Sequence, residues 1–189
     1  MPRFESACDA IDRINAEDPQ GREVDYGRRM VDWVRALSPA ASEELLLAAR
    51  AQHIRRWTVA RSKYPDGRNG YLRWREDLKK IHADILAGLM KDAGYGEDSQ
   101  SKARSILVRK NLSTDAEGQT LEDAACLVFL QFEYADFAAK TEPEKMVDIL
   151  RKSWKKMSPL AREKALRLPL SGRELDLVKR ALENPGRPG

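Results

Sequence analysis

The chain has 189 residues, 42% hydrophobic and 34% charged, with a formal net charge of +4. No 18-residue apolar run occurs, which excludes a membrane-spanning helix, and the length suits one domain whose core needs no staples. Two cysteines, Cys8 and Cys126, are too few for a disulfide framework or a structural zinc site, and the scarcity of β-branched runs argues against a large sheet.

The N-terminal stretch MPRFESACDAID is acidic and amphipathic and lacks the apolar core of a signal peptide, so a cytoplasmic location is expected. Phe4, Cys8 and Ile11 recur at helical spacing and predict a first helix over 3–16. EDPQGREV, from Glu17 to Val24, is turn chemistry. Tyr26, Met30, Trp33, Val34 and Leu37 predict a second helix ending at Ser38-Pro39. Ser42 caps a third, whose body is Leu45 to Ala49 with Ala51. Gln52, His53, Arg55, Arg56 and Trp57 follow at once, so a polar cluster ends a buried helix body at the rim of a core. Sites on helical scaffolds are commonly built there.

The segment from Thr58 to Gly70 reads as a long basic loop, and Tyr71 to about Ala93 as a long helix. His82 lies on that helix's apolar stripe, four after Leu78 and three before Ile85. Gly94-Tyr95-Gly96 stops it. A shorter helix is expected over Ser99–Lys110, then a polar turn at Thr114–Gln119. From Thr120 the run Ala124–Leu130 is uncharged on every face, which predicts a helix surrounded by others. Glu142–Met157, a helix begun by Ser158-Pro159, and Ser171–Glu183 complete the count, with the NPGRPG tail expected to be disordered.

Charge is unevenly spread. Residues 1–49 hold six Lys/Arg against ten Asp/Glu, residues 50–80 hold ten against three, and residues 151–167 hold seven against one. Such zones attract an anion: a phosphate ester, a nucleotide, RNA or an acidic protein. The bland alternative is that they solvate helix faces. Walker loops, GxGxxG, HExxH and paired CxxC motifs are all absent.

The chemistry therefore rests on few residues. His53 has Arg50 and Arg56 three positions to either side, hence on one face. Two guanidinium groups favour its neutral form, which suits a general base or an acceptor beside bound phosphate, as against a helix-end histidine packed on Trp57. Arg50, Arg56 and Arg61 are candidate phosphate clamps. His82 reads first as a satisfied core histidine, and gains a role if His53 is close in space. Glu122 and Asp123, at the start of the uncharged run, are candidate catalytic or orienting carboxylates, as against simple partners of a helix N-terminus.

The segments YGRRMVDW, LLLAARAQHIRRW, YLRWR, QTLEDAACLVFLQF and EKMVDILRKSWKKMS resemble the domain of unknown function 4202 family over about residues 3–170. The helix order is also remotely similar to the HD superfamily of metal-dependent phosphohydrolases. That resemblance sets Tyr26 at the first His position, Gln52 and His53 at the His-Asp pair, and Ala125 at the last Asp. Gln is a poor transition-metal ligand and Ala is none, so no metal site is assigned.

Together these features predict an all-α, HD-like bundle over residues 1–170 around a buried helix at about 120–137, with a peripheral helix and tail over 171–189. The expected function is a pocket for a phosphorylated small molecule or nucleotide, on a phosphohydrolase or pseudo-enzyme scaffold. His53, Glu122 and Asp123 would carry chemistry there, and Tyr26, Arg50, Gln52, Arg56, Arg61 and His82 would bind. A module for RNA or an acidic protein is the alternative, and no cofactor or membrane partner is assigned.

Overall fold

In the computed structural model, which describes residues 2–109 and 114–183, every regular element is helical. Contacts cluster into two units, Met1–Leu121 and Glu122–Gly189. Among the described residues no helix is long and apolar enough to cross a membrane. The NPGRPG tail lies outside the described residues.

The first unit holds α1 (Arg3–Asn15), α2 (Glu23–Leu37), α3 (Glu43–Arg50), α4 (Gly67–Asp92) and α5 (Glu97–Val108). Ser42 caps α3 as its position predicts, its hydroxyl accepting from the Leu45 amide at 3.2 Å. Although only eight residues long, α3 is the element the unit is built around, and it touches α1, α2, α4 and α5. Its composition explains this: Leu45 and Leu47 supply apolar bulk, while the buried Ala48, Ala49 and Ala51 let neighbouring backbones come close.

The closest of these approaches is at Gly27 on α2, where a Cβ would stand 2.7 Å from the Arg50 carbonyl oxygen. Asn15 of α1 donates to the same carbonyl at 3.3 Å. Three helices thus meet at the last turn of α3. Gly27→Ala should push α2 off α3, because a backbone carbonyl cannot rotate aside, at a cost of about 1–3 kcal/mol. Urea denaturation measures this, and an unchanged midpoint would show that α2 has room to move.

α4 begins one turn before the expected start at Tyr71, because Gly70 packs directly on the preceding loop. A Cβ there would stand 1.8 Å from the Pro65 carbonyl oxygen. At its other end Gly94 takes φ +91°, and Tyr95 and Gly94 donate back to Met90 and Lys91 at 2.9 and 3.0 Å. That is the glycine stop expected from the sequence.

α6 (Ala116–Val128) also starts a turn early, with the Asp115 side chain accepting from the Gly118 amide at 2.8 Å. It runs through a π-turn at Phe129–Glu133 into α7 (Tyr134–Ala139), and the division between the units falls within α6. Ala124, Cys126, Leu127, Val128 and Leu130 are buried, while Ala125 and Phe129 are partly exposed. In the second unit α8 (Pro143–Lys156), α9 (Pro159–Leu166) and α10 (Gly172–Glu183) follow. α10 packs on α8 and α7 through an apolar stripe that includes Leu177, Val178 and Ala181, and the Tyr134 hydroxyl donates to the Glu174 carbonyl at 3.0 Å.

Candidate functional site

After Arg50 the chain leaves the helix in a series of tight turns. Ile54, fully buried, anchors them, and Arg55 adopts the left-handed conformation (φ 53°). A non-glycine residue there costs about 1–2 kcal/mol. The reversal starts a short 3-10 turn, Arg56–Thr58, and returns the Arg56 guanidinium to His53. The single helical face expected for Arg50, His53 and Arg56 is therefore corrected: the helix stops at Arg50. Arg50 instead makes a two-pronged ion pair with Asp12 of α1, at 2.7 and 2.6 Å, and Arg56 alone reaches His53.

His53 is held on three sides. Tyr26 of α2 stacks on the imidazole with ring centroids 3.8 Å apart and planes 7° from parallel. Arg56 Nη1 lies 2.9 Å from Nε2, and Glu23 Oε2 lies 3.1 Å from Nδ1. A guanidinium can only donate, so Nε2 carries the lone pair. The imidazole proton is then on Nδ1, donated to the Glu23 carboxylate. This is the arrangement in which a carboxylate sets the tautomer of a histidine base. Arg56 is itself propped by α4, its guanidinium carbon 4.9 Å from the Trp74 ring centroid, and Trp74 Nε1 donates to the Val59 carbonyl at 2.9 Å.

A second polar layer lies behind the first. The His82 ring centroid is 6.4 Å from that of His53. His82 is buried, at 4% exposure, and hydrogen-bonds to the Gln52 backbone. The Gln52 side chain, oriented by its neighbours, accepts from both terminal nitrogens of Arg109 at 3.1 and 3.2 Å. Arg109 is the buried left-handed cap of α5 (φ 51°).

Burial and then the Arg56, Arg109, Arg75 and Arg22 charges hold His53 well below the usual imidazole range. Burial, with a smaller push from His53 and Arg56, takes His82 down to about 3. Burial also raises Glu23 to about 7, opposed in part by Arg56 and Arg22. Both imidazoles are thus neutral at physiological pH. Arg56 and Arg75, half-buried, have aromatic rings beside them and no carboxylate within ion-pair distance among the described residues. That surplus of positive charge next to a neutral base suits an anionic ligand.

Arg61 is occupied with its own loop, donating to the Tyr64 and Gly67 carbonyls at 2.9 and 3.3 Å. In the second unit Asp123 accepts from the Ser158 amide at 2.9 Å, and Glu122 faces Lys156 at 3.3 Å, so both carboxylates hold the junction of α8 and α9. The carboxylate in contact with His53 is Glu23, which carries no mark in the sequence beyond its place in a turn. Arg109 was equally unmarked, since nothing in a helical spacing announces a left-handed arginine. Among the described residues no three His, Cys, Asp or Glu side chains are grouped as a metal-ligand set.

The fold and site define an all-helical protein with a half-buried, carboxylate-oriented histidine beside guanidinium groups that have no ion-pair partner among the described residues. The chain belongs to the domain of unknown function 4202 family, whose model matches residues 5–178. No curated protein and no solved structure matches it.

Proposed function

We propose that the first unit binds a phosphorylated small molecule, nucleotides included, with Arg56 and Arg75 on the phosphoryl group and His53 as acceptor or general base. The observation that carries this reading is the Arg56–His53 contact. A guanidinium bonds an ionised acceptor roughly twice as strongly as it bonds a neutral one such as the imidazole lone pair. A phosphoryl oxygen is such an ionised acceptor. Drawing Arg56 onto it frees Nε2, while Glu23 keeps the proton on Nδ1 and the ring in place. Phosphoester hydrolysis is the reaction this dyad suits. In support of an HD-like arrangement, Tyr26 and His53, which stand at ligand positions of that pattern, stack face to face. Glu122 faces Lys156 and Asp123 accepts from the Ser158 amide, so the proposed machinery is built on Glu23, the carboxylate that touches His53.

Isothermal titration with inorganic phosphate and a nucleoside monophosphate tests the reading. Arg56→Ala should weaken both by roughly 10- to 100-fold, the value of a charge-assisted hydrogen bond. Added salt should weaken both as well. Unchanged affinity in Arg56→Ala would refute the site. Binding of RNA alone, insensitive to Arg56→Ala but lost with salt, would favour the basic surface of residues 50–80 in its place.

A further inference from the structure

His82 is the buried polar group that the proposed site leaves unused. It sits on the apolar stripe of α4, where a leucine or phenylalanine would serve packing equally well. Its bond to the Gln52 backbone takes the Nδ1 proton, and Nε2 is buried with no hydrogen-bond partner among the described residues. An unmatched acceptor lone pair in a protein interior is costly, so a donor is called for.

The surroundings restrict what that donor is. The His53 ring is 6.4 Å away, and Arg56 and Arg109 both act on His82. A metal ion or an ammonium group would be repelled by the guanidiniums, and a fully ionised second anion offers no proton. A neutral O–H group meets both conditions. The same segment ties the layers together, since Gln52 holds His82 through its backbone and Arg109 through its side chain, and His53 is the next residue.

We infer that His82 is a ligand-binding residue of this site, its Nε2 accepting from a hydroxyl of the ligand, so that the class bound is a hydroxylated phosphate ester such as a sugar phosphate or nucleotide. This rests on the phosphate site proposed above and adds to it the part of the ligand next to the phosphate.

Titration calorimetry on the full chain with glycerol 3-phosphate, n-propyl phosphate and inorganic phosphate separates the two. The wild-type protein should prefer the glycerol ester over the propyl ester by roughly 3- to 10-fold, the value of one neutral hydrogen bond. His82→Phe should abolish that preference and leave propyl phosphate and inorganic phosphate within about twofold of wild type. His82→Gln, which keeps an acceptor, should retain part of the preference and serves if the phenylalanine variant does not fold. Equal affinity of the wild type for the two esters, or a preference that survives His82→Phe, would overturn this inference alone. Failure of the wild type to bind any of the three would overturn the phosphate site and the inference with it.

Discussion

Val128→Asp should abolish the cooperative unfolding transition of the second unit. Val128 is 1% exposed near the end of α6, beside Leu127 at 0% and two residues before Leu130 at 6%. A carboxylate placed there has no water and no designed partner, and the effective penalty for an unpaired buried charge is several kcal/mol. Total stability of a domain is about 5–15 kcal/mol, so one such group consumes much of it. Val128→Ala supplies the comparison, because it leaves a small cavity and no charge and should cost only about 1–3 kcal/mol. Urea titration followed by circular dichroism distinguishes the two. A Val128→Asp protein that unfolds as cooperatively as wild type, at the same midpoint, would mean that this stretch is not part of a packed core.

Acid should destabilise the first unit through His82. Its folded pKa, about 3, lies below the unfolded 6.5, so the folded state binds fewer protons. The stability this contributes is fully present above 6.5 and is lost as pH falls toward 3. At 1.36 kcal/mol per pH unit, the loss between pH 6.5 and about pH 4.5 is about 3 kcal/mol. His53, also depressed by burial first and then by Arg56, acts in the same direction. Glu23 acts in the opposite one. Its folded pKa of about 7 lies above the unfolded 4.5, so its contribution is complete below 4.5 and is lost as pH rises through 7. Acidification therefore gains from Glu23 part of what it loses from the histidines. His82→Phe should remove about 3 kcal/mol of acid sensitivity between pH 7 and about 4.5, measured as the difference in urea-unfolding free energy. Glu23→Gln should steepen that sensitivity. An identical pH slope in wild type and His82→Phe would show that His82 titrates normally.

Helix positions were legible in the chain because they depend on local chemistry. The Ser42 cap, the Ser38 end of α2, the Gly94 stop and the Ser158-Pro159 start all act within one turn, and each appears where its residue type demands. The early starts of α4 and α6 departed from expectation for an equally local reason: Gly67 to Gly70 and Ala116 to Gln119 look like turn formers, and the packing of Gly70 on Pro65 overrides that preference.

By itself the sequence determined the all-helical class, the polar cluster at the end of the α3 body and the candidacy of Tyr26, Gln52, His53, Arg56 and His82, all of which the first unit gathers. Only the tertiary structure decided how His53 is used. Glu23 reaches it from thirty residues away, because Gly27 lets α2 lie against the last carbonyl of α3. Arg56 turns to it and Arg50 to Asp12 because Arg55 reverses the chain in a conformation that arginine has no intrinsic preference for. Helical periodicity reports which residues share a face while the helix lasts. Where the helix stops, the direction of each side chain is set by contacts between distant segments, and no spacing within one segment encodes them.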